Sequence, residues 1–89
     1  MKVTVLYFAN IKEQTQSSED LFVLPEASSL SELLQEVKLK HAKLESLVFS
    51  IKQGTSDTAV ALNQELVSDL NASLKENDEV AFIPPISGG

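Results

Sequence analysis

The 89-residue sequence contains no cysteine, no arginine and a single histidine. Without cysteine, neither disulfides nor thiolate metal ligands stabilise the fold. With one histidine, a zinc site lacks ligands and most nucleophile–base constellations lack a base. Seven lysines face thirteen acidic residues, for a net charge of −6. Phosphate backbones and anionic membrane surfaces are recognised by clustered basic residues, so no nucleic-acid and no membrane partner is expected. A basic protein surface is the natural partner of such a chain. Long hydrophobic runs are missing too. Val3 to Ala9 is broken by Thr4 and followed by Asn10 and Lys12, too short and alternating for a signal peptide or a membrane span. A cytoplasmic location is expected. Glycine is scarce: there are three, and two are the last two residues.

A chain of this length forms one domain with a modest core. Lys2 to Phe8 is β-branched and aromatic, the composition of a strand. Asn10 to Ser18 is polar and reads as a loop, and Glu19 to Leu24 as a second strand stopped by Pro25. Ser29 with Glu32 three residues on is a capping-box signature. Leu30, Leu33, Leu34 and Val37 then repeat at helical spacing, predicting a helix to about His41. Lys38 and Lys40 suit its negative end. Leu47 to Ile51 is predicted as a strand, followed by a turn at Gln53-Gly54-Thr55. Ala59–Leu62 and Glu65–Val67 read as short strands around a tight Asn63-Gln64 turn. After a turn at Glu76-Asn77-Asp78, Val80 to Ile83 is a continuous apolar run, as in a strand buried in mid-sheet.

This order predicts an α+β fold: a mixed β-sheet with one main helix packed on one face and an extended C-terminal tail. A ubiquitin-like β-grasp satisfies it, with first and last strands parallel neighbours. Residues 1–83 would form the domain and 84–89 the tail. Strand parity then assigns faces. Val3, Val5, Tyr7, Val80 and Phe82 point toward the helix. Thr4, Leu6, Phe8, Glu79, Ala81 and Ile83 point away, on a face that becomes apolar toward Phe8 and Ile83. An apolar patch beside the exit of the tail is read as a docking site in preference to scattered surface hydrophobicity.

Titratable groups offer little catalytic chemistry. His41, near a helix end, reads as a surface histidine stabilised by the helix dipole. Glu19-Asp20 and Asp78-Glu79 border strands and turns and read as solvated charge. Gly54 is isolated, so no phosphate-binding loop is present. The tail differs from the rest. Pro84 and Pro85 lack N–H donors, end the last strand and favour an extended chain of about 3.1 Å per residue. Six residues beyond Ile83 then reach roughly 18 Å from the domain. Gly88 and Gly89, without Cβ, suit a channel too narrow for other residues, although a Gly-Gly end taken alone reads first as an ordinary disordered terminus.

The segments VLYFA (Val5–Ala9), ALNQELV (Ala61–Val67) and LKENDEVAFIPPISGG (Leu74–Gly89) together resemble the small subunit of molybdopterin synthase. That family comprises sulfur carriers with the ubiquitin-like β-grasp fold. The likeness runs over essentially the whole chain and is weakest from Lys38 to Thr58. Asn77 stands where many relatives have glycine, and Asn10-Ile11-Lys12-Glu13 where relatives often carry arginine. Asparagine tolerates left-handed backbone, so the Asn77 turn is expected to survive.

The resemblance implies that Gly89 is the reactive residue. Its carboxylate is adenylated by a ubiquitin-activating-like adenylyltransferase that uses ATP and magnesium, then converted to a thiocarboxylate with sulfur from a donor protein. Pro84, Pro85, Ile86, Ser87 and Gly88 insert into the large subunit, and Phe8, Leu66 and Ile83 form the partner-binding patch. Sulfur passes to cyclic pyranopterin monophosphate, and two small and two large subunits form a heterotetramer. The carrier itself binds no cofactor or metal, and the active site lies in the large subunit. Three rivals share parts of the pattern. Sulfur carriers for thiamine thiazole synthesis are usually shorter and generally lack the paired prolines. Ubiquitin-like protein modifiers typically carry arginine before the glycines. A β-grasp interaction module would have no covalent chemistry.

Overall fold

The computed structural model describes residues 1–85. The elements are β1 (Lys2–Leu6), α1 (Ala9–Thr15), β2 (Glu19–Val23), α2 (Leu30–Lys40), α3 (Glu45–Gln53), β3 (Ala59–Leu62), β4 (Glu65–Val67) and β5 (Asp78–Ile83). A 3-10 turn, Ala42–Leu44, joins α2 to α3. The five strands form one mixed sheet in the order β2-β1-β5-β3-β4. β1 runs parallel to β5 and antiparallel to β2, and β3 is antiparallel to both β5 and β4. The last strand is therefore central, as its unbroken apolar run predicts.

Side-chain parity holds across the sheet. Val3, Val5, Tyr7, Val80 and Phe82 are buried on one face, packed with Leu30, Leu33, Leu34 and Val37 of α2. α2 begins with the reciprocal cap: Glu32 N–H donates to Ser29 Oγ (3.1 Å) and Ser29 N–H to Glu32 Oε1 (3.0 Å). These two bonds satisfy donors that a helix start leaves orphaned. His41 follows as the C-terminal cap residue.

Two elements depart from expectation. Asn10–Ser18, read as a loop, contains the helix α1. Its inward face is only Ile11 and Thr15, spaced i and i+4, both buried. The Thr15 hydroxyl is accommodated by donating to Ser17 O (2.9 Å) and Lys12 O (3.3 Å). One apolar anchor in seven residues leaves no periodicity to detect. Leu47–Ile51, read as a strand, lies within the helix α3. A short apolar run rich in β-branched residues is ambiguous between the two states. Burial of Leu44, Val48 and Ile51, at i, i+4 and i+7, decides for helix. Gly54 ends it at φ 75°, the left-handed cap that glycine adopts without strain.

The turns behave as their chemistry demands. Asn63 and Gln64 both take left-handed φ (51° and 71°), matching the primed turns of two-residue hairpins. Asn77 sits at φ 67°, and its N–H donates to Lys2 O at 2.8 Å. Among the described residues no helix is long and apolar enough to cross a membrane.

Candidate functional site

The sheet face away from the helices carries a groove of about 420 Å³, lined by Leu6, Phe8, Ala61, Gln64, Leu66, Glu79, Ala81 and Ile83. Strand register explains its shape. Leu6 of β1 is beside Ala81 of β5, Ala81 opposite Ala61 of β3, and Ala61 opposite Leu66 of β4. One row across four strands thus reads Leu, Ala, Ala, Leu. The two alanines are short and form a floor, and the leucines rise as walls. The floor is shielded by its neighbours: Ala61 and Ala81 are buried although they face away from the core.

Phe8 and Ile83, each two residues beyond Leu6 and Ala81, lie toward the same end of the groove. Phe8, Ile83 and Leu66 are 44%, 39% and 75% exposed, an apolar set without cover among the described residues. Phe8 is the residue preceding α1, and its carbonyl accepts from Ile11 N–H at 3.0 Å. Ala9, at φ 50°, makes the abrupt change from strand to helix. The three residues singled out by sequence as a partner-binding patch thus line one groove. Sequence reasoning missed the floor residue Ala61 and the wall residue Gln64. The signal was available: an alanine in the middle of each of two apolar strands, on the outward parity.

β5 ends at Ile83, with Pro84 half-buried and Pro85 exposed beyond it. The chain therefore leaves the sheet at the Phe8 end of the groove. Ile86, Ser87, Gly88 and Gly89 lie outside the described residues. At the other end, Asn63 clips the acidic turn: Glu79 N–H donates to Asn63 Oδ1 (2.9 Å), and Asn63 Nδ2 donates to Asp78 Oδ1 (2.9 Å). The groove is apolar along its floor and walls, with an acidic end at Glu79. Among the described residues no cluster of three His, Cys, Asp or Glu is placed to hold a metal ion.

A second polar cluster lies on the opposite side of the sheet, where Asp20 faces the core from edge strand β2. Its Oδ2 accepts from Tyr7 Oη (2.8 Å) and pairs with His41 Nε2 (2.6 Å), while Oδ1 accepts from Lys40 Nζ (2.8 Å). Burial by itself raises this carboxyl, but the hydrogen bonds from Lys40, His41 and Tyr7 outweigh it and hold Asp20 below the usual carboxylate range. Tyr7 moves the other way: burial, then the neighbouring Asp20, push its phenol well above its ordinary value. Asp20 and His41 are thus not the solvated charge and dipole-stabilised surface histidine that local sequence suggests. Their side chains are only 10% and 15% exposed. The pairing spans 21 residues, which no local pattern encodes.

The model of the ThiS family matches residues 5–89, the groove strands and the tail included. The chain belongs to the ThiS family. This ThiS-family chain is 37% identical over 90 residues to the molybdopterin synthase sulfur carrier subunit of Chlamydomonas reinhardtii, covering all of both chains. Among solved structures it resembles SAMP1 from Haloferax volcanii, with a TM-score of 0.87, 26% identity and full coverage of both chains. It also resembles a chain in the protein–protein complex of subunits 1 and 2 of the molybdopterin-converting factor from Helicobacter pylori. There the TM-score is 0.68 and the identity 28%, again over both full chains. The ThiS-family fold here is the ubiquitin-like β-grasp expected from the sequence.

Proposed function

We propose that this chain is the sulfur carrier subunit of molybdopterin synthase. The observation that carries the reading is the Leu6–Ala81–Ala61–Leu66 groove, with Phe8 and Ile83 at the end where the chain leaves toward Gly89. It occurs in a chain aligned end to end with a carrier subunit of that name. Residues 1–83 are the docking body, and Pro84 to Gly89 the tail that delivers sulfur.

A carboxylate anion is a poor electrophile, so the Gly89 carboxylate must first be activated. One of its oxygens attacks the α-phosphorus of ATP on an adenylyltransferase, releasing pyrophosphate and leaving an acyl-adenylate. A hydrosulfide equivalent from a donor protein adds to the acyl carbon, AMP departs, and a thiocarboxylate remains. That sulfur is the nucleophile presented to cyclic pyranopterin monophosphate in the large subunit. The substrate is a phosphate ester, so its pocket is expected to be basic, and the acidic carrier is suited to dock beside it. The large subunit covers Phe8, Leu66 and Ile83, which explains why a chain with so small a core leaves them uncovered. Two carriers and two large subunits complete the assembly.

The test is direct. The chain is incubated with the adenylyltransferase, ATP, magnesium and a sulfur donor, and its intact mass is measured. Exchange of one C-terminal oxygen for sulfur is expected, followed by molybdopterin formation when the large subunit and cyclic pyranopterin monophosphate are added. A specific observation favours a second reading: the likeness to SAMP1, since a chain of that name from Methanosarcina acetivorans is described as a small archaeal modifier protein. Attachment of Gly89 to lysines through isopeptide bonds, with no molybdopterin formed, would establish that reading instead. Sulfur passed only to a thiazole synthase would point to the thiamine pathway.

A further inference from the structure

Charge is divided unevenly along the chain. Four of the seven lysines but one of the thirteen acids lie between residues 38 and 52, giving that stretch +3 while the remainder carries −9. The stretch forms the end of α2, the 3-10 turn and α3. These helices pack on the core side of the sheet, opposite the Phe8–Ile83 groove. Between α2 and α3 lies a second groove, of about 270 Å³. Val48 forms its buried floor, Gln35 and Lys38 one bank, and Glu45, Phe49 and Lys52 the other. Lys52 Nζ donates across it to Gln35 Oε1 at 3.3 Å.

Phe49 is the anomaly. It is 65% exposed, although Val48 and Ile51 on the same helix are buried. Leu39, on the outer side of α2, is 67% exposed. Helix geometry does not require an aromatic at position 49, since the inward positions of α3 are already filled. An exposed aromatic beside a groove that carries Lys38 and Lys52 against the single acid Glu45 is the form of an anchor site.

We propose that the α2–α3 groove is a second docking surface, occupied by an acidic amphipathic segment of a partner protein. An apolar side chain of that segment packs on Val48 and Phe49, and its carboxylates meet Lys38 and Lys52. Charge complementarity selects this occupant. A second copy, like-charged at −6, is repelled at long range. A flat anionic membrane meets the whole chain at −6, whereas a single segment seated in the groove meets Lys38 and Lys52 on its banks. Because the groove is on the other side of the sheet, it remains open while the Phe8–Ile83 face is covered. The assignment stands independently of what that face binds.

The experiment is an amide-resolved NMR titration of the full-length ¹⁵N-labelled chain. The probe is a synthetic peptide with leucines and glutamates at helical spacing; its control has lysine for every glutamate. Saturable shifts confined to Gln35–Leu39 and Glu45–Lys52 are expected with the acidic peptide, and none with the basic one. Phe49→Ala, and the pair Lys38→Glu with Lys52→Glu, should each weaken binding about tenfold or more. Ile83→Ala should leave it unchanged. Thermal melts check that the variants stay folded, since these side chains are at the surface. Shifts on the sheet face, equal binding of the basic peptide, or no binding at millimolar peptide would each overturn the proposal. So would shifts at these residues on concentrating the protein alone, which assign the groove to a second copy. A response only to phosphatidylserine vesicles would assign it to lipid.

Discussion

His41 Nε2 lies 2.6 Å from Asp20 Oδ2, tying the C-terminal cap of the main helix to the edge strand of the sheet. The same carboxylate holds Tyr7, whose ring stacks on Phe82 at a centroid distance of 6.1 Å. One side chain on β2 thus braces α2, β1 and, through Tyr7, β5. Asp20→Asn removes the charge from Lys40 and His41 and is expected to cost about 1–3 kcal/mol of stability. The wild type should show a matching pH dependence. The Asp20 carboxyl is depressed in the folded state, so its contribution is complete above the unfolded value of about 4 and lost as pH falls below it. Denaturant melts from pH 7 to pH 2 check this. The wild type should lose its advantage over Asp20→Asn only below about pH 4; a constant difference would exclude the linkage.

The two faces of β5 make opposite demands. Phe82 is fully buried, and Phe82→Ala is expected to cost about 3–5 kcal/mol of stability through the cavity it leaves. Ile83 and Phe8 are on the groove side. Their replacement by alanine should change the melting temperature little, yet weaken binding to the large subunit by about 2 kcal/mol or more. Calorimetric melts and binding isotherms on the three variants separate these effects. Similar stability losses at all three sites would contradict the assignment of faces.

Gly89 lies outside the described residues, six positions after the end of β5 at Ile83, and the proposed function gives it a chemical role. A chain without Gly89 is expected to melt with the wild type and to accept no sulfur from the activating system. A truncated protein that still gains sulfur, measured by intact mass, would refute the assignment of the reactive residue.

Gln64 holds a left-handed backbone at φ 71°, a conformation costing a non-glycine residue about 1–2 kcal/mol. Glycine removes that strain but adds freedom to the unfolded chain, so Gln64→Gly should stabilise the protein by about 0.5–1 kcal/mol. Chemical denaturation tests this, and a less stable variant would mean that the Gln64 side chain contributes more at the groove than its backbone costs.

The capping box offers a local check. Ser29→Ala removes the acceptor of the Glu32 N–H and should cost about 1 kcal/mol. Ser29→Asp, which restores an acceptor at the positive end of the helix, should recover most of it. Equal losses in both variants would point to packing around Ser29 as the source.

Some features of this protein were legible in the residues themselves because their causes are local. Ser29 and Glu32 are three residues apart, and alternation along Val3–Tyr7 and Val80–Phe82 needs only the two-residue period of a strand. Pro84 and Pro85 end β5 by their own covalent structure. Other features depend on which strands become neighbours. Ile11 is a lone apolar residue until the core receives it, so α1 has no periodic signature. Val48 and Ile51 suit strand or helix equally until Leu44 joins them on one buried face. Ala61 and Ala81 become a groove floor only when the register sets them between Leu6 and Leu66. Asp20 finds His41 and Tyr7 only after β2 pairs with β1 and α2 crosses the sheet. Local periodicity and backbone chemistry determined the first set; pairing between residues distant in the chain, which the packed core selects, decided the second.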